Sequence, residues 1–321
     1  MSLSNINRNL LCTGLLLLIG SAAQAGESGI TLNVQCGASR GLNSIGAALK
    51  ILKNSEIRVP GTINVSGTCN ENVVIQGMDR VTLNALPGAS INDASQGAAQ
   101  TIWIDDSRGI AVNNFTINGN AASTGSSDVV DLTNGSMAHF TGDTVQNAPQ
   151  GGGGGLGVFS GSYVRVDGGF LQNNTTWVGL AVFNSGRAVV VNATLQANWR
   201  GAVVAQGGHL QFASSTSTNN TDVGIELRQG SALVCNQCTV TANGNQGINA
   251  EESSVATVYN GPTVTGNGGA GVNLTNLSSA TFDGTGTVNG NNSGQGDIVC
   301  NPKYTTTAGL PGTVGQVVNC P

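Results

Sequence analysis

The sequence is poor in charged and aromatic residues. Only 9% of its 321 residues are charged and 4% are aromatic, whereas 48 residues are glycine. Neither a highly charged disordered chain nor an ordinary globular enzyme has this composition. A repetitive, β-rich structure is favoured.

Long apolar runs are absent except near the N-terminus. Arg8 precedes the run LLCTGLLLLIG, and AQA at 23–25 supplies the small-x-small pattern of a signal peptidase site. The run is shorter than the roughly 18 apolar residues of a membrane-spanning helix. We therefore expect a signal peptide at 1–25, with a retained anchor as the alternative. The mature chain is predicted to be secreted or periplasmic, free or associated with the cell surface, and without a membrane span.

Basic residues are also scarce. The chain has three lysines (Lys50, Lys53 and Lys303), and its net charge of −5 becomes −6 when Arg8 leaves with the leader. Such a surface repels nucleic acid and anionic lipid, and no basic cluster counters the repulsion. Nucleic acid is therefore excluded as a partner.

Removal of the leader also removes Cys12 and leaves six cysteines, an even number that suits an oxidising compartment. Many pairings are open, and proximity in sequence favours Cys36 with Cys69, Cys235 with Cys238, and Cys300 with Cys320. The CNQC segment at 235–238 also invites a redox or zinc interpretation, but no second CxxC exists and both histidines are far off in sequence. A short structural disulfide, or two small buried thiols, is the preferred interpretation, and no metal site is predicted.

A repeat of about 24 residues runs through the chain. An asparagine marks each unit at steps of 24, 22, 23, 24 and 24 residues, and two earlier steps of 27 extend the series backwards to Asn147 and Asn120. The regular markers are Asn174, Asn198, Asn220, Asn243, Asn267 and Asn291. Each unit reads as three short strands of alternating polarity separated by tight turns.

Such a unit cannot bury its own apolar face, so successive units are expected to stack as coils of a solenoid with parallel strands. The marker asparagine is expected to adopt a left-handed turn and to bond to the asparagine of the next coil, forming a ladder. The glycine that follows in each coil is expected to provide a positive φ.

The repeat length, the asparagine column and the short strands resemble the right-handed parallel β-helix of the pectin lyase-like superfamily. The resemblance implies an all-β fold but no single activity, because that architecture carries lyases, hydrolases, esterases, epimerases, adhesins and phage tailspikes. The segment 43–53 reads as a short helix capped by Asn43 or Ser44, an element that often covers the first coil of such proteins. We predict an N-terminal cap with early coils at 26–106, regular coils at 107–304 and a C-terminal capping tail at 305–321 that Cys300 and Cys320 pin.

Alignment of the coils places several charged and aromatic side chains on one face. Glu226, Arg228 and Glu251 become neighbours on adjacent coils and are the candidate catalytic residues. The candidate substrate-binding residues lie beside them: Trp177, Trp199, Arg200, Asp222 and Asn249. Tryptophan rings stack on sugars, arginine pairs with a uronate carboxylate, and carboxylates transfer protons. The alternative is a cross-strand ion pair at the solvent surface without a function.

The catalytic templates that the resemblance suggests fit incompletely. A lyase would use Arg228 as its base, often with calcium, but two acidic neighbours hold its charge and no carboxylate cluster suggests a calcium cage. The three aspartates, His-Gly and Arg-x-Lys of polygalacturonase-like hydrolases are missing, so Asp105 and Asp106 are read as the polar end of a strand. His139 and His209 are isolated and are expected to be surface or satisfied histidines.

The sequence therefore leaves two functions open. One is an exported protein that binds, and in an enzymatic version degrades, a polysaccharide as a lyase or glycoside hydrolase. The other is a non-catalytic, adhesin-like surface β-helix that binds a protein or glycan partner. No cofactor is expected, calcium being the one candidate and having no clear site.

Overall fold

The computed structural model describes residues 29–55, 59–283, 286–291, 297–301, 304–306 and 316–319. The predicted signal peptide and Cys320 lie outside these residues. The described chain is almost entirely β, with one helix at Ile45–Asn54. No described helix is long and apolar enough to cross a membrane.

The strands form three long sheets along a solenoid. A twelve-stranded sheet contains Ile30–Gln35, Gly61–Ser66, Val81–Ala85, Ile110–Asn113, Met137–Thr141, Tyr163–Asp167, Arg187–Val191, His209–Ala213, Ala232–Asn236, Val255–Tyr259, Ser279–Asp283 and Gln316–Asn319. A ten-stranded sheet contains Thr68–Asn70, Ser90–Asn92, Thr116–Asn118, Thr144–Gln146, Phe170–Gln172, Thr194–Gln196, Thr216–Thr218, Thr239–Thr241, Thr263–Thr265 and Thr287–Asn289.

The third sheet has eleven strands and is called the site sheet below. It contains Val73–Gln76, Ile102–Asp105, Val130–Thr133, Leu156–Val158, Val178–Val182, Arg200–Val204, Ile225–Leu227, Ile248–Ala250, Val272–Thr275, Ile298–Asn301 and Tyr304–Thr306. Strands of successive coils pair in parallel, and antiparallel pairs close two sheets at the C-terminal end. The predicted parallel solenoid is confirmed.

Strand alternation creates one continuous core. In the twelve-stranded sheet, alternate residues such as Leu210 and Phe212 are buried while Gln211 is exposed. The inward-pointing apolar residues of all three sheets form a single cluster that includes the helix at one end and Cys300 at the other. Because each coil encloses a narrow cross-section, most core side chains are valine, isoleucine, leucine and alanine.

The asparagine ladder forms as predicted, but its asparagines do not adopt the predicted left-handed backbone conformation. In each coil from Asn174 to Asn267, the backbone N–H and side-chain amide donate to Oδ1 of the next asparagine, as between Asn220 and Asn243 at 3.2 and 2.8 Å. The left-handed residue is the one before each marker, for example Asn219 with φ of 54°. Asn147 itself has φ of 63° and belongs to this left-handed column, so Asn120 and Asn147 do not extend the ladder.

The glycine after each marker serves close approach and not positive φ. A Cβ on Gly224 would lie 2.6 Å from the carbonyl oxygen of Gly247 and 2.7 Å from the Asn243 amide nitrogen, and Gly224 is not among the residues with positive φ. The predicted turn conformation of these glycines is therefore wrong. They leave room for the ladder amides and for the next coil.

The N-terminal helix covers the first coil, as predicted. Ser44 caps it by accepting a hydrogen bond from the backbone N–H of Ala47, and Ile45, Ala48 and Leu49 are buried. Glu71 accepts hydrogen bonds from the first helical N–H groups, which stabilises the positive end of the helix dipole.

The predicted disulfides Cys36–Cys69 and Cys235–Cys238 are present, and Cys300 is also disulfide-bonded.

Candidate functional site

The outer face of the site sheet is covered in its central coils, unlike the outer faces of the other sheets. Its strands Leu156–Val158, Ile225–Leu227 and Ile248–Ala250 are buried at every residue. The strand register places one outward-pointing residue from each of eight successive coils in a column, which we call the site face: Trp103, Asp131, Gly157, Ala181, Val203, Glu226, Asn249 and Asn273.

Aromatic side chains cover the middle of the site face. The ring of Phe183 lies 5.9 Å from that of Phe159 and 5.8 Å from that of Trp177, both tilted. These partly buried rings pack on a second apolar cluster of Val178, Ala181 and Val203. Beside them an open pocket of about 190 Å³ is lined by Phe183, Val203, Ala205, Gln206, Arg228 and Gln229.

An ion network built on Glu226 follows the aromatic cluster. Arg200 donates from Nε to Asp222 at 2.8 Å and from Nη1 to Glu226 at 2.5 Å, and its guanidinium lies 4.1 Å from the ring centroid of Trp199. Arg228 donates from Nε and Nη2 to the other Glu226 oxygen. Both oxygens of Glu226 therefore bind a guanidinium group.

Glu226 is only 2% exposed, so the expectation of an ion pair at the solvent surface is wrong for this residue. Burial raises the pKa of Glu226, while the charges of Arg200 and Arg228 oppose the rise. Glu251 lies at the edge of the network, 3.9 Å from Arg228, and accepts a hydrogen bond from Asn249 at 2.8 Å.

A second group of carboxyl groups lies at the other end of the site face, where the sequence predicted no site. Asp128 and Asp131 are 8% and 7% exposed and lie at the start of the strand Val130–Thr133. Asp131 Oδ2 accepts from Gln100 at 2.7 Å and Asp128 Oδ1 accepts from the N–H of Gly154 at 2.5 Å. The available signal was the segment DVVDL, in which an acidic residue interrupts an apolar strand at an outward position.

Comparisons with known proteins agree with this architecture. Residues 100–286 match the family described as "Right handed beta helix region". The chain belongs to this right-handed β-helix family. No curated protein shows a significant match to the sequence.

Solved structures of right-handed β-helices resemble the chain in fold. The A-module of Azotobacter vinelandii mannuronan C-5 epimerase AlgE6 is 14% identical, with a TM-score of 0.50, over 79% of this chain and 84% of that one. The A-module of AlgE4 from the same organism is also 14% identical, with a TM-score of 0.51, over 83% and 90%. At this level of identity the likeness concerns the fold alone.

The β-helix brings most of the predicted site residues together. Glu226, Arg228 and Glu251 form one network with Arg200, Asp222 and Asn249, and Trp199 joins it through Arg200. Trp177 belongs to the aromatic cluster instead. Whether these residues act on a ligand stays a prediction.

Among the described residues of this β-helix, one group of side chains has the spacing to hold a metal ion: Cys36, Cys69 and Glu71. Its two cysteines are joined in a disulfide. A disulfide sulfur is not the thiolate that metals bind. The group is therefore no metal site.

Proposed function

We propose that this β-helix protein binds an uncharged polysaccharide chain along the site face. The observation that carries the proposal is the set of rings of Phe159, Trp177 and Phe183, which remain partly exposed above a buried apolar patch. Such rings provide apolar surface for the faces of sugar rings, while flanking polar groups bond to hydroxyls. The structural neighbours that carry the name mannuronan epimerase support a polysaccharide ligand.

The charges of the site face favour a neutral ligand over a uronate polymer. Arg200 and Arg228 each have two nitrogen atoms bound to carboxylates. Carboxyl groups on and beside the site face also outnumber these guanidinium groups: Asp105, Asp128, Asp131, Asp222, Glu226 and Glu251. An acidic chain would meet net repulsion and no unoccupied two-point arginine site.

We also propose that the protein works outside the cytoplasm. Disulfides at Cys36–Cys69 and Cys235–Cys238 persist in oxidising compartments, and the predicted leader provides a route for export. Fractionation of cells that express the full chain tests this: a processed protein starting near Gly26 outside the cytoplasm is expected, and an unprocessed cytoplasmic protein would contradict export.

The binding proposal is tested with a panel of soluble glycans. Affinity electrophoresis and calorimetry would compare neutral glucans, xylans and mannans with mannuronan and polygalacturonate. We expect binding to a neutral polymer, with an affinity that changes little with salt because no charges pair. Trp177→Ala should weaken it about tenfold or more.

Phe170→Ala is the matched control, because Phe170 is an exposed ring on the ten-stranded sheet, away from the site face. Equal losses in both variants would contradict the assigned face. Binding of uronate polymers alone would contradict the neutral ligand, and binding of no glycan would refute the proposal.

A further inference from the structure

Two buried carboxyl groups face each other beside the aromatic cluster of the site face. A Cβ built on Gly157 would lie 2.8 Å from Asp128 Oδ2 and closer still to Asp131 Oδ1. The same Cβ would contact Cε2 of Phe159, so this ring borders the space between the two oxygens. The carboxyl pair, Asp128 with Asp131, is therefore in contact with a ring that the proposed glycan would touch.

One oxygen of the carboxyl pair lacks a partner. Asp131 Oδ1 is fully enclosed and has no hydrogen-bond donor, whereas Asp131 Oδ2 accepts from Gln100 at 2.7 Å. Asp128 Oδ1 accepts from the N–H of Gly154 at 2.5 Å, which leaves Asp128 Oδ2 next to the unpaired oxygen. A proton on Asp128 Oδ2 gives Asp131 Oδ1 a donor and leaves the pair with one negative charge where two would be strongly unfavourable.

No positive charge takes the place of this proton. Among the described residues, no basic side chain is bonded to the pair, and the carboxylate of Asp105 in the preceding coil is held by three side chains of its own. Burial raises the pKa of both groups of the pair, and the charge of Asp131 raises that of Asp128 further. The residues that face the pair from the neighbouring elements are uncharged: Gln100, Trp103, Gly154, Gly157 and Phe159.

We propose that the carboxyl pair is a proton switch for the glycan-binding face. The shared proton holds the rings of the aromatic cluster in the arrangement that binds sugar, and its loss at higher pH separates the carboxyl groups and weakens binding. This regulation rests on the proposed function, because it needs a glycan bound to these rings.

Two sets of contacts connect the carboxyl pair with the rings. The ring of Phe159 contacts the pair and lies 5.9 Å from Phe183, whose ring lies 5.8 Å from Trp177. The second connection is the turn at Gly154, where a Cβ would lie 3.0 Å from both Asp128 Oδ1 and Trp177 Cε3. A movement of the pair therefore reaches Trp177 from both sides.

Loss of the proton changes the charge in an enclosed space. Hydroxide takes the proton and becomes water, and the charge of the pair goes from −1 to −2. Two carboxylates in contact repel each other strongly where burial excludes water. They are expected to separate and to admit water past Phe159, which displaces the rings packed on it. Because the pKa is raised in the folded chain, the stabilisation is present at low pH and is lost as pH rises through that raised value.

The first test needs no glycan. Asp128→Asn replaces the O–H with an amide N–H that does not ionise, and its oxygen can still accept from Gly154. The infrared spectrum at pH 7 should lose one protonated-carboxyl band in this variant, while a band from Asp143, whose pKa burial raises to about 8, remains as a reference. Trp177 emission, obtained as the difference from Trp177→Phe, should shift to longer wavelength in the wild type as the pair ionises and should stay constant in Asp128→Asn.

The second test measures affinity for the neutral glycan at a series of pH values. Asp143→Asn is the matched control, because it removes another buried carboxyl group with a raised pKa, between the twelve-stranded and ten-stranded sheets. The wild type and this control should lose affinity about tenfold or more as the infrared band of the pair disappears, whereas Asp128→Asn should change less than about twofold. If Asp128→Asn does not fold, Asp131→Asn replaces it, since its amide can donate to Asp128 Oδ2 and its oxygen can accept from Gln100.

The outcomes separate the switch from the proposed function. A wild type without the infrared band of the pair, or with Trp177 emission that does not follow this band, overturns the switch even though a glycan binds. The same pH dependence of affinity in the wild type and in Asp128→Asn also overturns it. Absence of binding to every glycan at every pH refutes the proposed function, whereas the infrared and fluorescence measurements still decide whether the proton holds the rings.

Discussion

Two sheets of this solenoid carry ion networks around a carboxylate, and only one of the two carboxylates is fully buried. On the twelve-stranded sheet, Asp167 binds Arg165 at 2.7 Å and His139 at 2.6 Å, and Arg165 and His139 remain 40% and 46% exposed. On the site sheet Arg228 is also 40% exposed, but Arg200 and Glu226 are 15% and 2% exposed. Both carboxylates point outward from their strands, so the difference comes from what lies above the strands.

The cover comes from the turns that border the site sheet. Trp177 and Trp199 directly precede strands of this sheet, and Phe159 and Phe183 directly follow them. Their bulk shields the outward-pointing residues, which makes the charges costly to separate. The twelve-stranded sheet has no equivalent cover over Arg165 and Asp167, where water screens the pair. Strands of one solenoid can therefore hold a buried carboxylate on one sheet and a partly exposed one on another.

Loss of Glu226 is expected to have the largest effect on this contrast. Glu226→Ala would leave Arg200 without one of its two carboxylates in a mostly buried place and should lower the free energy of unfolding by about 3 kcal/mol. Asp167→Ala breaks the exposed network and should cost less than about 1 kcal/mol. Urea denaturation measures both, and equal costs would show that burial does not separate the two networks.

The same contrast applies to amide pairs and predicts a smaller effect. Asn220→Ala removes the buried acceptor of Asn198, whose backbone and side-chain N–H groups both bind it at 3.1 Å. The expected cost is about 2 kcal/mol. Asn70→Ala breaks an exposed amide pair with Asn92, whose side-chain N–H binds Asn70 Oδ1 at 3.0 Å, and is expected to cost a few tenths of a kcal/mol.

Thermal or chemical unfolding of the two asparagine variants checks this. If Asn70→Ala costs as much as Asn220→Ala, the ladder does not owe its contribution to burial.

The repeat was predictable because it depends on spacing alone. Period-two alternation identified the strands, and the steps between asparagines identified the coils, since both follow from contacts between equivalent positions. The conformation of single residues was harder to predict. The left-handed position moved by one residue to Asn219 and its equivalents because the ladder asparagine must point inward, which only three-dimensional packing determines.

The candidate site was predictable in part for the same reason. Coil alignment placed Glu226, Arg228 and Glu251 together, since neighbours in a column follow from register. It could not show that Glu226 is buried, because burial depends on the side chain of Arg200, which binds Glu226 from the preceding strand and packs on Trp199. The sequence did not predict a site at Asp128 and Asp131. Asp128 lies in a turn and Asp131 in a strand, and only the folded chain brings both carboxyl groups next to Gly157.

The smallest expected effect is on the pH dependence of stability, which should have opposite signs for a buried and for a more exposed carboxyl group. Asp143 is buried and accepts hydrogen bonds from the N–H groups of Phe115 and Thr141 at 2.7 and 2.9 Å, yet burial outweighs them and raises its pKa to about 8. The folded chain therefore keeps a proton that the unfolded chain loses near pH 4, so stability from this group falls as pH rises from about 4 to 8. Asp93 has the opposite sign, because hydrogen bonds from Ser95, Asn72 and Gly97 outweigh its partial burial and lower its pKa, so its contribution is lost only as pH falls through that lowered value. Between pH 6 and pH 7 the wild type should lose about 1.4 kcal/mol relative to Asp143→Asn, whereas its difference from Asp93→Asn should stay constant. Unfolding free energies at closely spaced pH values measure both differences, and a pH-independent difference for Asp143→Asn would mean that the carboxyl is already ionised in the folded protein.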